Sequence, residues 1–313
     1  MTKTILAFYG LSPLGLDDLK EQFNIVELWK EADPEEAIQR HRDSVVGIIS
    51  WPSNPHISEK LMETLPNLEI ISQFGVGYDN IDIVAAKERE IVVTNTPDLV
   101  TDDTADTALA LMLMTARRFA EADVYVRIGK WASDGPIGLG HRLGGKAVGI
   151  VGLGRIGSAI AQRAEAFGCQ IKYTGRAPKD VDYEFISDLK TLAEESDFLV
   201  LSCTATEETN GMIDLSVMEA LGRQGFLINV SRGSIVNEED LQIALRNRAI
   251  KGAGLDVFAN EPHVPDSLKT MDNVVLLPHI GTATVETRSE MGKLVIENIK
   301  RWFESGETLT RVV

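Results

Sequence analysis

The sequence is poor in cysteine and in positive charge, and each lack excludes a class of protein. Cys169 and Cys203 are the only cysteines among 313 residues, so a disulfide framework is excluded and a reducing compartment is expected. We interpret both as small buried hydrophobic residues. The formal net charge of −16 argues against nucleic-acid or anionic-membrane partners, because polyanions are bound through clustered cations that this sequence does not show.

Long apolar runs are also missing. The longest apolar stretch, ALALMLM from Ala108, cannot cross a bilayer, and the apolar run within MTKTILAFYG is too short for a signal sequence. The 44% hydrophobic and 25% charged residues are typical of a soluble globular protein. We therefore expect a cytoplasmic protein with no membrane partner, long enough for two domains.

Apolar strand patterns alternate with helical patterns between Thr4 and Asn95. The strand patterns are ILAFY, NIVEL, VVGIIS, LEIISQF and IVVTN, with helical patterns such as 33–42 and 58–65 between them. The alternation predicts an α/β domain with a flavodoxin-like, doubly wound parallel sheet. Glycines follow the fourth strand in FGVGYD, 74–79, which is either an anion nest or a tight turn without a ligand.

The stretch from Lys146 to Gly168 predicts a strand, a phosphate-binding loop and a helix. An apolar run enters Gly152, Gly154 and Gly157 at the G-x-G-x-x-G spacing, and an amphipathic helical pattern follows. The first glycine permits a tight turn, the second lets backbone approach a pyrophosphate, and the third lets the helix pack close to the strand. We interpret this as a Rossmann dinucleotide site; the alternative is a strand-to-helix turn without a ligand.

The next strand ends without the carboxylate that usually binds the ribose 2′-hydroxyl of NAD. The chain reads Thr174-Gly175-Arg176 there, with Lys179 close by. A small residue followed by a guanidinium leaves room and charge for a 2′-phosphate. This predicts NADPH in preference to NADH; the alternative is that Arg176 is merely solvated.

Four further apolar segments, FLVLSC, GFLINVS, GAGLDVF and VVLLPHIG, predict that the second sheet is doubly wound with six strands. A buried helix is predicted at 101–119, and a long amphipathic helix at about 284–305 that can return to the first domain. We therefore predict a discontinuous substrate-binding domain, 1–98 plus 286–313, and an NADP-binding Rossmann domain, 99–285. The segment 121–142 loses periodicity and is predicted to be an oligomer arm or a functional loop.

Polar residues follow three strands of this second sheet. They are Arg232 in Ser231-Arg232-Gly233, Glu261 in Asn260-Glu261-Pro262, and His279, the one histidine of five that terminates an apolar strand. Open α/β sheets bind ligands beyond the carboxyl ends of their strands. Reduction by a hydride carrier needs an acid to protonate the developing alkoxide, and these residues are the candidates. No metal-ligand spacing competes with them.

Several ordered motifs together resemble the D-isomer-specific 2-hydroxyacid dehydrogenases. Within that family the sequence is similar to the glyoxylate/hydroxypyruvate reductases and the plant hydroxyphenylpyruvate reductases. The motifs are FGVGYDNID (74–82), LGGKAVGIVGLGRIG (143–157), NVSRGSIVNEEDL (229–241), GAGLDVFANEP (252–262) and NVVLLPHIGTATVETR (273–288). Asp106, where many members carry Glu, and the Cys203–Thr206 segment, which lacks a common proline, depart from the pattern.

The resemblance implies NADPH-dependent reduction of glyoxylate and hydroxypyruvate, small 2-keto acids, to D-2-hydroxy acids. It implies that Arg232 binds the substrate carboxylate and polarises the keto group, and that His279 is the acid paired with Glu261. A neighbouring carboxylate favours charged imidazole, which agrees with that role. The N–H groups of Val76 and Gly77 would complete the carboxylate cradle.

The motif and the resemblance together give a predicted cofactor-binding set, in which Asp256 would contact the nicotinamide end. The set is Thr104, Gly152, Gly154, Arg155, Ile156, Gly157, Thr174, Gly175, Arg176, Cys203, Thr204, Val230, Asp256 and Gly281. Trp51 would line the substrate pocket. A homodimer through residues near 122–142 is expected, with Trp131 reaching the partner's active site. The alternatives are a hydroxyphenylpyruvate or phenylpyruvate reductase and, in a different class, an NADP(H)-sensing binding protein of the same fold.

Overall fold

The computed structural model describes residues 2–11, 16–52 and 56–313, and the chain divides into two compact α/β units. The first unit comprises Met1–Val100 and Thr282–Val313, and the second comprises Thr101–Gly281. Both sheets are parallel throughout, which confirms the predicted fold class. No helix within the described ranges is long and apolar enough to cross a membrane.

The first unit is built on a five-stranded sheet in the order β2-β1-β3-β4-β5, the flavodoxin-like order. Every residue of the strands in positions two to five of this order is buried, whereas the edge strand β2 has one buried residue. The elements are β1 (Thr4–Ala7), α1 (Asp17–Lys20), β2 (Asn24–Glu27), a 3-10 turn (Leu28–Lys30), α2 (Pro34–His41), β3 (Val45–Ser50), α3 (Glu59–Thr64), β4 (Ile70–Gln73), α4 (Ile83–Glu88) and β5 (Val92–Thr94).

The second unit is built on a seven-stranded sheet in the order β12-β11-β10-β9-β6-β7-β8. Its elements are α5 (Thr101–Arg117), α6 (Phe119–Arg127), α7 (Lys130–Asp134), β6 (Ala147–Val151), α8 (Arg155–Ala166), β7 (Gln170–Thr174), β8 (Glu184–Phe185), α9 (Leu189–Glu194), β9 (Phe198–Leu201), α10 (Leu215–Leu221), β10 (Phe226–Asn229), a 3-10 turn (Gly233–Ile235), α11 (Glu238–Arg246), β11 (Gly252–Leu255), α12 (Asp266–Lys269) and β12 (Val274–Leu276).

The prediction of six strands in this sheet was wrong by one. The additional strand is β8, an edge strand of two residues that pairs with β7 through Lys172 opposite Glu184 and Tyr173 opposite Phe185. A strand of this length contains no repeat of the alternation that distinguishes strands in a sequence.

The predicted helix 101–119 and the nonperiodic segment that follows it also differ from the structure. Helix α5 ends at Arg117, and Arg118 adopts a left-handed conformation, with φ of 57°, before α6 begins. Helices α6 and α7 then occupy part of the segment predicted to lack regular structure. Neither contains a buried residue, so no apolar face distinguishes them in the sequence.

Helix α13 (Val285–Ser305) brings the end of the chain into the first unit. The Thr284 hydroxyl accepts a hydrogen bond from the N–H of Thr287 at 3.2 Å, and Gly306 ends the helix in a left-handed conformation, with φ of 73°. Beyond it, the N–H of Val312 donates to the carbonyl of Val93 on β5 at 2.7 Å. The last helix and its tail therefore complete the unit that the first strands begin.

Candidate active site

The predicted catalytic residues come together at the carboxyl edge of the seven-stranded sheet. Arg232 follows β10, Glu261 follows β11 and His279 follows β12, and these strands are neighbours in the sheet. Parallel strands end on one edge, so residues far apart in sequence converge there.

A carboxylate holds the imidazole of His279. The ring Nδ1 lies 2.7 Å from Glu261 Oε2, and the other carboxylate oxygen, Oε1, accepts the backbone N–H of Phe258 at 3.1 Å. Both side chains are mostly buried, with 26% of His279 and 17% of Glu261 exposed. Because Nδ1 faces the carboxylate, Nε2 is the ring nitrogen left to exchange a proton with a ligand.

The carboxylate of Asp256 fixes the backbone beside His279. Its Oδ1 accepts the N–H of Ile280 and its Oδ2 the N–H of Gly281, each at 2.8 Å, and its carbonyl accepts the N–H of His279 at 2.9 Å. Burial raises the pKa of the Asp256 carboxyl. These bonds stabilise His279 in its left-handed conformation, with φ of 53°. Contact between Asp256 and the nicotinamide stays a prediction.

Arg232 lies on a loop packed against the segment that leads to Glu261. The amide of Asn229 donates to the Arg232 carbonyl at 2.9 Å, and Arg232 Nη1 donates to the Ser231 carbonyl at 2.9 Å. At Gly233, a Cβ would lie 1.9 Å from the carbonyl carbon of Phe258, so only glycine permits this approach. Sequence reasoning missed Asn229; the signal was a polar residue ending a fully buried strand.

The phosphate-binding loop has the shape that a dinucleotide needs. Gly152 has a φ of 93°, and a Cβ there would lie 2.6 Å from Cys203 Cα. A Cβ on Gly157 would lie 2.2 Å from the Gly152 carbonyl oxygen, so helix and loop pack without space for a side chain. Among the described residues other than its chain neighbours, a Cβ on Gly154 would meet no atom within 4 Å, and no side chain caps the start of α8. The loop therefore fits a pyrophosphate at the helix N-terminus.

The adenosine end of the predicted site also fits a 2′-phosphorylated dinucleotide. Thr174 is buried, and its carbonyl accepts the N–H of Gly152 at 2.9 Å. Gly175 and Arg176 follow in exposed positions, and a Cβ on Gly175 would meet no protein atom within 4 Å. A guanidinium and open space therefore stand where an NAD site usually has a carboxylate.

The other predicted cofactor residues lie on the elements around the same edge. Thr104 is buried on α5, and a Cβ on Gly281 would lie 3.7 Å from its methyl carbon. The remaining residues are Arg155 and Ile156 in the first turn of α8, Cys203 and Thr204 after β9, and Val230 after β10. Burial raises the pKa of the Cys203 thiol to about 11, so the thiol form predominates at neutral pH.

Val76 and Gly77 lie in the first unit, beyond the carboxyl end of β4. The amide of Gln73 donates to the Gly77 carbonyl at 2.9 Å, and that of Asn95 donates to the Val76 carbonyl at 2.9 Å. Side-chain amides thus fix both carbonyls, while in the described part of the chain neither N–H of this pair has an acceptor. The arrangement suits a carboxylate ligand.

Hydrogen bonds through Asn80 connect Trp51 to the same loop. Gln73 also donates to Asn80 Oδ1 at 2.8 Å, and the Asn80 amide donates to the Trp51 carbonyl at 3.1 Å. Trp51 follows β3, the strand beside β4. Sequence reasoning missed these buried amides; Asn80 and Trp51 are 29 positions apart and become neighbours only in the folded chain.

A Rossmann-type unit with an arginine and a histidine–carboxylate pair at its strand ends defines a class: nicotinamide-dependent oxidoreductases of hydroxy and keto acids. Comparison with known proteins identifies the family. Residues 109–281 match the family model described as the D-isomer specific 2-hydroxyacid dehydrogenase NAD binding domain. The chain belongs to this family, as its motifs predicted.

Relatives match the chain over nearly its whole length. The glyoxylate/hydroxypyruvate reductase A HPR2 of Arabidopsis thaliana is 46% identical over 310 residues, covering 99% of this chain and 98% of that protein. The hydroxyphenylpyruvate reductase of Plectranthus scutellarioides is 43% identical over 310 residues, covering 99% of this chain and 98% of that protein. The crystal structure of the NADPH-dependent glyoxylate/hydroxypyruvate reductase of Sinorhizobium meliloti with NADP and malonate has a TM-score of 0.90 at 42% identity, covering 100% of this chain and 97% of that one.

Proposed function

We propose that this chain is an NADPH-dependent reductase of small 2-keto acids, glyoxylate and hydroxypyruvate, that forms the D isomer wherever the product is chiral. The observation that carries the proposal is the 2.7 Å contact between His279 and Glu261, on the same sheet edge as Arg232. Relatives named glyoxylate/hydroxypyruvate reductases support the substrate class, at 46% identity for the Arabidopsis protein.

Each of the three residues has a distinct task in this reaction. Arg232 binds the substrate carboxylate and polarises the keto oxygen through its planar set of N–H donors. His279 donates a proton from Nε2 to the developing alkoxide oxygen, while Glu261 orients the ring through its contact with Nδ1. We assign a further part of carboxylate binding to the N–H groups of Val76 and Gly77.

The second unit would hold the cofactor as an NADP-binding domain, and the first would serve as the substrate-binding domain. The glycine loop and the start of α8 would bind the pyrophosphate, and Arg176 the 2′-phosphate. NADPH, when bound, supplies the hydride for the carbonyl carbon. Asp256 positions His279 through the backbone of Ile280 and Gly281.

The assembly we propose is a cytoplasmic homodimer with neither a nucleic-acid nor a membrane partner. Exposed apolar side chains on and between α6 and α7 support the dimer; Ile128, between the two helices, is 61% exposed and Trp131 is 64% exposed. The net charge of −16 supports the lack of nucleic-acid and anionic-membrane partners, and the low cysteine content supports the cytoplasmic location.

The first test measures initial rates of NADPH oxidation with glyoxylate, hydroxypyruvate, hydroxyphenylpyruvate and pyruvate. Faster turnover of the first two supports the proposal, and a preference for hydroxyphenylpyruvate favours the aromatic reductases.

His279→Ala should lower kcat by about 10²–10⁴-fold, the usual contribution of general acid catalysis. His41→Ala, on α2 in the other unit, is the matched control. His279→Ala turnover within a few-fold of the parent would exclude this acid, and no turnover by the parent would favour an NADP(H)-sensing protein.

A second test addresses the cofactor. Arg176→Ala should raise the KM for NADPH by about tenfold or more, because a charge-assisted bond to the 2′-phosphate is worth about 1.5–3 kcal/mol. NADH lacks this phosphate, so its KM in the same variant is the internal control and should stay unchanged. An unchanged KM for NADPH would mean that Arg176 is merely solvated.

A further inference from the structure

An aromatic cluster lies at the carboxyl edge of the five-stranded sheet, with a cation on it. Trp51 stacks on Tyr9 at 5.0 Å between ring centroids and packs on Phe74 at 5.1 Å. The guanidinium carbon of Arg288, from the first turns of α13, lies 4.1 Å from the Trp51 ring centroid and 5.5 Å from that of Phe74. Tyr9, Trp51 and Phe74 follow β1, β3 and β4, which are neighbouring strands.

Arg288 has fewer partners than a half-buried cation usually needs. Its Nε donates to the Thr282 carbonyl at 3.0 Å. Across the described ranges no carboxylate forms an ion pair with it, and its remaining N–H groups have no acceptor. Burial lowers the pKa of Arg288. Removing these N–H groups from water without giving them an acceptor is unfavourable, and the cation–π contact of Arg288 with Trp51 offsets part of that free energy.

The cluster shares its supporting bonds with the predicted carboxylate cradle. Asn80 binds the Trp51 carbonyl at 3.1 Å and accepts from Gln73, whose amide also holds the Gly77 carbonyl at 2.9 Å. Phe74 stands two positions before Val76 in the same loop. A ligand on the N–H groups of Val76 and Gly77 would therefore lie beside the loop and tryptophan on which Arg288 rests.

We infer that Arg288 is a specificity-determining residue that binds an oxygen on the third carbon of the keto acid. The inference rests on the proposed function and applies to its substrates that have a third carbon, among which it favours those with a hydroxyl or carboxylate on that carbon. A guanidinium held over a ring and by a hydrogen bond at Nε has its other N–H groups in defined positions, which suits such an acceptor. An alkyl group there would leave those donors without a partner.

Glyoxylate has no third carbon and hydroxypyruvate carries a hydroxyl on it, so this pair of substrates isolates the contact. Arg288→Met should lower kcat/KM for hydroxypyruvate by about tenfold or more, as loss of a bond to a charged donor does. The value for glyoxylate should stay within about threefold of the parent, because that substrate lacks the group. Arg288→Lys keeps the charge and should restore part of the hydroxypyruvate activity.

The matched control is Arg301→Met, on the same helix, where the exposed arginine pairs with Glu297 at 2.7 Å. It should leave both substrates unchanged. Equal losses for the two substrates with Arg288→Met, accompanied by a lower melting temperature, would mean that the arginine only supports the fold and would overturn the inference. Unchanged activity with both would overturn it as well. A parent enzyme inactive on every keto acid would instead refute the proposed function, and this inference with it.

Discussion

His279 depends on two carboxylates that act at different places. Glu261 contacts the ring, whereas Asp256 binds the N–H groups of Ile280 and Gly281 and so fixes the backbone that carries the ring. Replacing the carboxylate that orients a catalytic histidine can lower kcat by about 10⁴-fold, because the carboxylate fixes the tautomer and the orientation of the ring. The two acids can therefore be separated by which property each replacement changes.

Glu261→Gln should lower kcat/KM by about 10²–10⁴-fold while leaving the fold intact. The amide keeps the size of the side chain but removes the negative charge that faces Nδ1 of His279. Steady-state kinetics with glyoxylate measures the loss, and a thermal melt checks the fold. Glu286→Gln, on the exposed first turn of α13, is the control. Activity within threefold of the parent would contradict the assigned role of Glu261.

Asp256→Asn should lower stability by about 1–3 kcal/mol, because an amide has one oxygen and leaves one buried N–H without an acceptor. Activity should fall too, since the backbone of His279 loses a support. Urea unfolding followed by fluorescence measures the first effect, and kcat measures the second. An unchanged unfolding midpoint would show that the bonds to Ile280 and Gly281 contribute little.

Cys203 should react slowly with thiol reagents although it lies near the phosphate loop. Burial raises the pKa of its thiol to about 11, so at pH 8 the reactive thiolate is about 100-fold scarcer than for a thiol near the ordinary value of 9.0. Raising the pH should increase the rate of iodoacetamide labelling, which peptide mass spectrometry measures. The urea-unfolded chain is the control, and equal rates in folded and unfolded protein would refute the prediction.

At the scale of elements, the glycines of the phosphate loop differ in what surrounds them. A Cβ on Gly157 would meet the Gly152 carbonyl oxygen at 2.2 Å, whereas one on Gly154 would meet no protein atom within 4 Å. Gly157 is thus needed for packing between loop and helix. Gly154 leaves space that the cofactor can use.

Gly154→Ala should therefore weaken NADPH binding about tenfold or more with a stability change within about 1 kcal/mol, since a Cβ would obstruct only the pyrophosphate. Gly157→Ala should lower stability by about 1–3 kcal/mol, as overpacking does. Fluorescence titration with NADPH and urea unfolding separate the two effects. If the Gly154→Ala protein binds NADPH as tightly as the parent, Gly154 does not lie against the pyrophosphate of the cofactor.

Elements with strong local signals were predictable, and those defined by tertiary contacts were not. The expected helix at about 284–305 is α13, Val285–Ser305, because Thr284 caps its start and Gly306 ends it. Strand β8 was missed because two residues show no alternation, and α6 and α7 because neither has a buried face. Caps and periodicity are local features of the sequence. Contacts between distant segments exist only in the folded chain, so elements defined by them are not visible in the sequence.

The same division holds for the candidate site. Arg232, Glu261 and His279 stand out in the sequence because polar residues directly follow apolar strands. The bonds of Asp256, the amide of Asn80 and the position of Arg288 on an aromatic ring depend on partners far away in the chain. No spacing rule relates such partners, so they became visible only in the structure.

At the scale of the whole molecule, α6 and α7 expose apolar side chains that a monomer would leave in water. Val124, Val126, Ile128 and Trp131 are 52%, 56%, 61% and 64% exposed. Apolar side chains concentrated in this way usually mark an interface, because burying them removes apolar surface from water. Their segment is the one in which we expect the homodimer contact.

Ile128→Asp should therefore shift the protein from dimer to monomer, because a carboxylate in an apolar interface is left without a partner. Light scattering coupled to size exclusion should give twice the chain mass of 34.3 kDa for the parent and the single chain mass for the variant. Val84→Asp, at a 68% exposed valine of α4 in the other unit, is the matched control and should remain dimeric. A parent that elutes at the single chain mass would refute the homodimer, and a variant that stays dimeric would exclude Ile128 from the interface. In the first case the exposed apolar side chains would need another partner, and in the second another surface would have to supply the dimer contact.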